Sequence, residues 1–393
     1  MKIHDAPLRS EDVRQKNEKI ILHAIQKSKG LSQSEVVSFT GLKAPTVLRI
    51  FTYLEERGLI QVTDNVERNT PEKKGRKPVF YKVNPVTHYT IGIEFWLRQI
   101  SIIMTDFQKN LVYSRTVTDA EIGKAEDLIE TLAQLIQQAL SESGVPIEKI
   151  LGIGVGAPGR IDTDQGKAIY YGRIRDMLNL PIREHLEKLF SIPVFISNNA
   201  GVVAMNAYRR GSAKNANALI TVLIRSGVGG AFINGGELML VQGKTAMEIG
   251  HAAIDLNGPE CFCGARGCLE AYIAESVVLL EAQRRFPVRD LEELDEMAGD
   301  GHEGAVALLE ENGALLGVEA RNLFRLFSPD SFLIMTRFPN TSRIYAEKVN
   351  ETLKGDFFCQ ESTTINVYHD VYDSVEAGRG AADLVFEDYF GMN

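Results

Sequence analysis

The chain has 393 residues, 43 Lys+Arg against 52 Asp+Glu for a formal net charge of −9, and is 44% hydrophobic and 24% charged. That is the composition of a globular protein too long for one ordinary core, so two or three domains are expected. With no run near the ~18 apolar residues of a membrane span, a polar, charged start and three of four cysteines crowded within eight residues, membrane, secreted and disulfide-framework classes drop out, and a cytoplasmic location is expected.

The charge is unevenly spread. Residues 1–83 carry 16 Lys+Arg and 10 Asp+Glu, whereas 84–393 carry 27 and 42. A basic head on an acidic body implies that the head is the part that approaches a polyanion. Val13 to Ser28 reads as a helix with an apolar stripe of Ile20, Ile21, Ala24 and Ile25, ended by Gly30. Ser32 and Glu35 have capping-box spacing and open a short second helix, and Gly41-Leu42 supplies a turn. A third helix runs from Pro45 to Arg57 with Val47, Ile50, Phe51 and Leu54 at helical spacing. This succession matches a helix-turn-helix, in which the second helix of the pair enters the major groove.

Lys43, Thr46 and Arg49 face away from the apolar stripe and are candidates for contact with DNA; the plain alternative is a solvated polar face. Leu59 to Val62 and Val79 to Val83 read as two strands around the polar segment 63–78, which holds Lys73, Lys74, Arg76 and Lys77. The segment reads as a basic wing whose Arg76 reaches a minor groove, or else as a disordered charged linker.

From Tyr89 onward strands alternate with helices: Thr90–Ile93, Ile100–Thr105, a long helix Ala125–Ser143, then Ile150–Val155, Ile192–Ser197 and Ala218–Ile224. Alternation of this kind predicts α/β layers with ligands at the carboxyl ends of the strands. Beyond it, His251 precedes Cys261, Cys263 and Cys268, with Gly264 and Gly267 between the thiols. One imidazole and three thiolates make a soft tetrahedral donor set suited to Zn²⁺, a closed structural site. A redox pair is the alternative for Cys261 and Cys263, and Cys359 reads as an inert buried thiol.

Glu248-Ile249-Gly250-His251, nine further residues and C-x-C-G-x-x-G-C-x-E ending at Glu270 resemble the signature of the ROK family of repressors and sugar kinases. The resemblance spans essentially the whole chain. It implies an N-terminal winged helix-turn-helix (1–83) followed by a two-lobed, actin-like (ribonuclease H-like) sugar-kinase fold. One lobe takes 84–200 plus 376–393, and the other, with the zinc loop, takes 201–375. It also implies a homodimer or tetramer, operator DNA as partner, and a sugar effector in the interlobe cleft held at Asn198, Asn199, Glu248, His251 and Glu270. A helix N-cap role is the alternative for Asn198 and Asn199.

Departures from the family pattern argue against phosphotransfer. Asn199 stands where the kinases have their Asp base, and an amide cannot accept that proton. Glu94-Phe95-Trp96-Leu97-Arg98 replaces a D-x-G-G-T phosphate loop, Arg225-Ser226-Gly227 replaces Gly-Thr-Gly, and Met335-Thr336-Arg337 lacks a glycine pair near the adenosine. No ATP is expected as cofactor. The expectation is a sugar-responsive regulator; a kinase carrying a DNA-binding head is the rival, and control by a protein partner is a third reading. The lip Arg173-Ile174-Arg175-Asp176-Met177, commonly N-L-P-G-W, leaves two possibilities: Arg173 or Arg175 meets an anionic sugar, or both pair with acidic residues.

Overall fold

The structure is a computed structural model that describes residues 10–28, 30–64, 78–118, 123–240, 247–360 and 365–391. The head comprises α1 (Ser10–Lys27), β1 (Leu31–Ser32), α2 (Gln33–Thr40), α3 (Ala44–Glu56), β2 (Ile60–Thr63) and β3 (Phe80–Val83). Ser32 caps α2 in a reciprocal box with Glu35, Gly41 ends it in the left-handed region, and Pro45 sits in the first turn of α3. Val47, Ile50, Phe51 and Leu54 bury the inner face of α3, as their spacing predicts. β2 and β3 pair antiparallel, with Ile60 opposite Val83, and β1 joins the other side of β3. The tip between β2 and β3, with Lys73, Lys74, Arg76 and Lys77, lies outside the described residues.

The body follows with β4 (Tyr89–Trp96), β5 (Gln99–Asp106), β6 (Leu111–Thr118), α4 (Ala125–Ser143) and β7 (Ile150–Ala157). A small flap, β8 (Arg160–Asp162), β9 (Lys167–Tyr170) and β10 (Leu178–Leu180), precedes α5 (Ile182–Phe190) and β11 (Val194–Asn198). Among the described residues these strands form one sheet in the order β11-β7-β4-β5-β6, with the flap as a separate antiparallel sheet. β4 and β7 are parallel neighbours at its centre and buried along nearly their whole length, which explains their unbroken apolar runs.

The second lobe contains α6 (Asn199–Arg210), β12 (Ala218–Ile224), β13 (Val228–Asn234), β14 (Glu237–Met239), α7 (Glu270–Ile273), α8 (Glu275–Arg285), α9 (Leu291–Gly299) and α10 (Glu303–Phe327). It continues through β15 (Ser331–Thr336), α11 (Pro339–Lys354), α12 (Phe357–Gln360) and β16 (Asn366–Val371), and the chain closes with α13 (Ser374–Phe390). The second sheet runs β14-β13-β12-β15-β16, with β15 parallel to both β12 and β16. This is the two-lobed α/β architecture implied by the resemblance, behind a winged helix-turn-helix. Among the described residues no helix is long and apolar enough to cross a membrane.

α6 and α13 pack on one another between the lobes, and α13 lies flat on β4, β5 and β7. Gly92 and Gly154 permit that closeness: a Cβ there would meet the Gly378 oxygen at 2.1 Å and the Ala381 oxygen at 1.8 Å. The head is not tethered loosely. Phe386 and Phe390 of α13 and Phe107 after β5 share one apolar cluster with Ile21, Ile25, Val47, Phe51 and Tyr81 of the head.

Candidate functional site

The Cys/His loop is built by its backbone. Ala253 bridges Cys268 and Glu260 bridges Arg266, folding residues 253–268 back on themselves. Gly267 has φ +70° and lies so close to Asp255 that a Cβ would meet its carbonyl oxygen at 1.6 Å. The fold brings together the donor atoms of His251, Cys261, Cys263 and Cys268, all within 4.8 Å of one another. His251 Nδ1 is 3.6 Å from Cys261 Sγ, and Cys263 and Cys268 Sγ are 3.7 Å apart. Burial and the neighbouring thiols push the Cys268 thiol up to about 12. Sulfurs this crowded ionise together only around a cation, so the group could hold a metal ion.

His251 and Cys263 of this group also line a cavity of about 350 Å³ between the lobes. Asn198, Asn199, Glu248, His251 and Glu270 all line it, as do Trp96, Tyr171 and Arg173. Because His251 turns Nδ1 toward the sulfurs, Nε2 remains for the cleft. Glu248 is reachable from solvent, but loss of hydration raises its carboxyl above the ordinary value, with His251 and Arg160 opposing the rise. Glu270 is buried and accepts from the Val228 N–H at 2.8 Å.

The two asparagines are already engaged. Asn198 caps α6, accepting from the Ala200 N–H at 2.8 Å, and donates through Nδ2 to the Gly159 oxygen. The cap alternative therefore holds for Asn198, and its position on the cavity wall holds alongside it. Asn199 donates through Nδ2 to Glu94 Oε1 at 3.2 Å and to the Phe95 oxygen. An aspartate at 199 would set a second carboxylate against Glu94, whereas the amide donates to it.

The segments expected to replace the phosphate loops bring a buried polar network to the cavity wall. Glu94 is fully buried, Arg225 is 4% exposed, and Arg225 Nη2 donates to Glu94 Oε1 at 3.0 Å. The Tyr372 hydroxyl donates to Glu94 Oε2 at 2.6 Å. Burial and the Glu94 carboxylate hold the Tyr372 phenol well above its ordinary range, keeping it protonated. The Arg225 guanidinium lies between the Trp96 and Tyr372 rings, 5.0 and 4.5 Å from their centroids. Arg337, read in sequence as a lost glycine, makes a fork with Glu275 at 2.7 and 3.2 Å.

The lip arginines separate. Arg175 is exposed and off the cavity wall, whereas Arg173 lines it, donates to Glu270 Oε1 at 2.9 Å and lies over the Phe262 ring. Sequence reasoning missed Glu94, Arg225 and Tyr372 as a unit; charged residues inside apolar strand ends were the available signal. On α3, Lys43 and Arg49 are exposed and Thr46 partly buried. Leu48, 54% exposed beside Arg49, was not singled out from sequence.

Comparison with known proteins identifies the family. The ROK family profile matches residues 90–388, and the MarR family profile matches residues 15–68. The xylose repressor of Bacillus spizizenii is 28% identical over 382 residues, 97% of each chain. A solved ROK family transcriptional regulator, a homolog of the E. coli Mlc protein, superposes with a TM-score of 0.80 at 18% identity, over 97% of this chain and 98% of that one. A ROK family glucokinase from Streptomyces griseus, solved with glucose and AMPPNP, covers 75% of this chain and 98% of its own, with a TM-score of 0.66 at 21% identity. The chain belongs to the ROK family.

Proposed function

We propose that the chain is a DNA-binding transcription regulator, a repressor, that binds a neutral sugar in the interlobe cleft and transfers no phosphoryl group. One observation carries the reading. The residues expected to contact a sugar, Asn198, Asn199, Glu248, His251 and Glu270, all line one cavity, while Arg225, paired with Glu94, and Trp96 stand where the family's kinases carry their phosphate loops. The likeness to proteins named xylose repressors, with matching coverage from end to end, supports it.

Neutrality follows from charge pairing. Arg225 is matched by Glu94 and Arg173 by Glu270, and Arg160 lies within electrostatic reach of Glu248. Two of the described wall arginines are thus already taken up by carboxylates, whereas hydroxyls find amide, carboxylate and imidazole partners. The distances in the Cys/His group support Zn²⁺ as its ion. Tetrahedral bonds of ~2.3 Å to sulfur and ~2.0 Å to nitrogen put neighbouring donors roughly 3.5–3.8 Å apart. Held this way, zinc orients His251 and shapes the sugar seat without entering it.

In the DNA complex α3 lies in the major groove with Lys43, Thr46 and Arg49 toward the duplex. A homodimer presents two such heads to a pseudo-palindromic operator. Isothermal titration with neutral sugars and their 6-phosphates tests the effector class, and a coupled ATP assay over the same panel tests the absence of turnover. A preference for the phosphates would overturn neutrality. Turnover above ~1 s⁻¹ would make the chain a kinase.

A further inference from the structure

We propose that the head, α13 and the first lobe move as one rigid arm, and that Tyr372 is the positioning residue that sets its angle against the second lobe. The inference rests on the sugar-responsive reading and assigns the contact through which the cleft governs DNA binding.

β16 of the second sheet delivers Tyr372, and α13 starts two residues later on the first sheet, capped by Asp373 Oδ1, which accepts the Val375 and Glu376 N–H groups at 2.8 Å. The lobes therefore join at this peptide, and the Tyr372 hydroxyl, 2.6 Å from Glu94, ties the second lobe to β4 of the first. Glu94 also accepts from Asn199 and Arg225, both on the cavity wall. A ligand that draws on Asn199 or displaces Arg225 thus acts directly on the partner of Tyr372.

α13 spans about 25 Å, at 1.5 Å per residue over 17 residues. On the first lobe it lies without slack, as Gly92 and Gly154 show, and the buried Asp383 takes an ion pair from Lys109 after β5 at 2.9 Å. On its other side α13 meets α6 of the second lobe, where a Cβ on Gly380 would meet the Val202 oxygen at 2.2 Å and Arg209 and Arg210 reach Asp383 at 3.2 and 2.9 Å, so this helix pair is the axis about which the lobes would turn. At the far end Phe390 stacks on His23 of α1 at 4.7 Å between ring centroids. Phe386 and Phe390 share the cluster that buries the inner face of α3. Polar contacts seat the head as well: Gln26 Nε2 donates to the Phe107 oxygen at 2.9 Å, and Gln108 Nε2 to the Val83 oxygen at 2.7 Å. Rotation at Tyr372 therefore moves the recognition helix together with the first lobe, and in a dimer it changes the spacing of the two heads.

The test is Y372F in the full-length chain, with sugar affinity and DNA affinity read separately. Trp96, the single tryptophan of the chain, lines the cavity and reports sugar binding by fluorescence. Anisotropy of a labelled duplex selected from a random pool on the wild type reports DNA affinity, with and without saturating D-xylose or D-glucose. The expected wild-type response is a change of tenfold or more in DNA Kd. Y372F is expected to keep sugar-free DNA Kd and sugar Kd within about threefold, while its sugar response falls below threefold. F390A, remote from the cleft, is expected to keep sugar Kd and lose the response. A responsive wild type with an equally responsive Y372F would overturn the inference alone, as would a Y372F that loses sugar and DNA binding together. A wild type whose DNA affinity ignores every sugar tried overturns the sugar-responsive reading, and this inference with it.

Discussion

Replacing Arg225 with methionine strips the cation from Glu94 while keeping most of the side-chain volume. At 3.0 Å between Nη2 and Oε1 the pair attracts by about 5.5 kcal/mol at an effective dielectric near 20. Neither partner is hydrated enough to replace the other with water, since Glu94 is 0% and Arg225 4% exposed. Asn199 and Tyr372 still donate to Glu94 in the variant and soften the loss. The expected destabilisation is about 3–5 kcal/mol, the cost of leaving one buried charge unpaired. E94Q/R225M removes both charges and should lie within about 2 kcal/mol of wild type, so the double-mutant cycle should show strong coupling. Urea melts followed by far-UV circular dichroism measure this, because Trp96 stacks on Arg225 and its fluorescence changes with the substitution itself. A loss below about 1 kcal/mol for R225M, or a double variant that costs the sum of the singles, would refute the network as the fastening between the lobes.

The metal group predicts about one zinc per purified chain by atomic absorption. Cys268→Ser should lose both the ion and the thermal shift given by sugar, because His251 loses its orientation; a shift that survives in metal-free protein would contradict that link. Arg49→Ala should weaken operator binding by about 1–3 kcal/mol, and Lys43→Ala should lower the salt slope by about one, with sugar affinity unchanged for both. His23, stacked on Phe390, has its pKa drawn down from 6.5 to about 4 by burial, with Lys27, Lys109 and Arg209 adding to the effect. An unfolded or undocked head therefore takes the proton first. Docking is fully stable above about pH 6.5 and weakens as the pH falls toward 4, which hydrogen exchange in α1 should follow; His23→Gln should flatten the profile.

Local signals made the head and the metal loop legible in the sequence. The Ser32–Glu35 box, Pro45 and the Val47/Ile50/Phe51/Leu54 spacing depend on neighbours within a turn or two, and α3 begins and ends within a residue of expectation. Ala125–Ser143 is one helix with the expected limits, because its apolar period and Gly144 both act locally. The cleft residues were located through the family signature rather than through physics visible in one chain. What stayed hidden was convergence: residues 94, 199, 225 and 372 meet only after both sheets and α13 have formed. Arg225 looked like a lost glycine, and its role as a buried partner needed Glu94 opposite. Likewise Phe386, Tyr389 and Phe390 lie at the far end of the chain, yet these rings join the core of the head more than 300 residues earlier.

The central claim is that one chain couples a sugar seat without phosphotransfer to a DNA-binding head. Anisotropy of the selected operator duplex, titrated with the wild-type chain at physiological salt with and without D-xylose, D-glucose and other neutral sugars, tests it most directly. The account predicts binding at least a thousandfold tighter than to random duplex, roughly the lower bound for specific regulators, and a tenfold or greater loss with one neutral sugar. No preference over random duplex, or an affinity indifferent to every sugar, would contradict it.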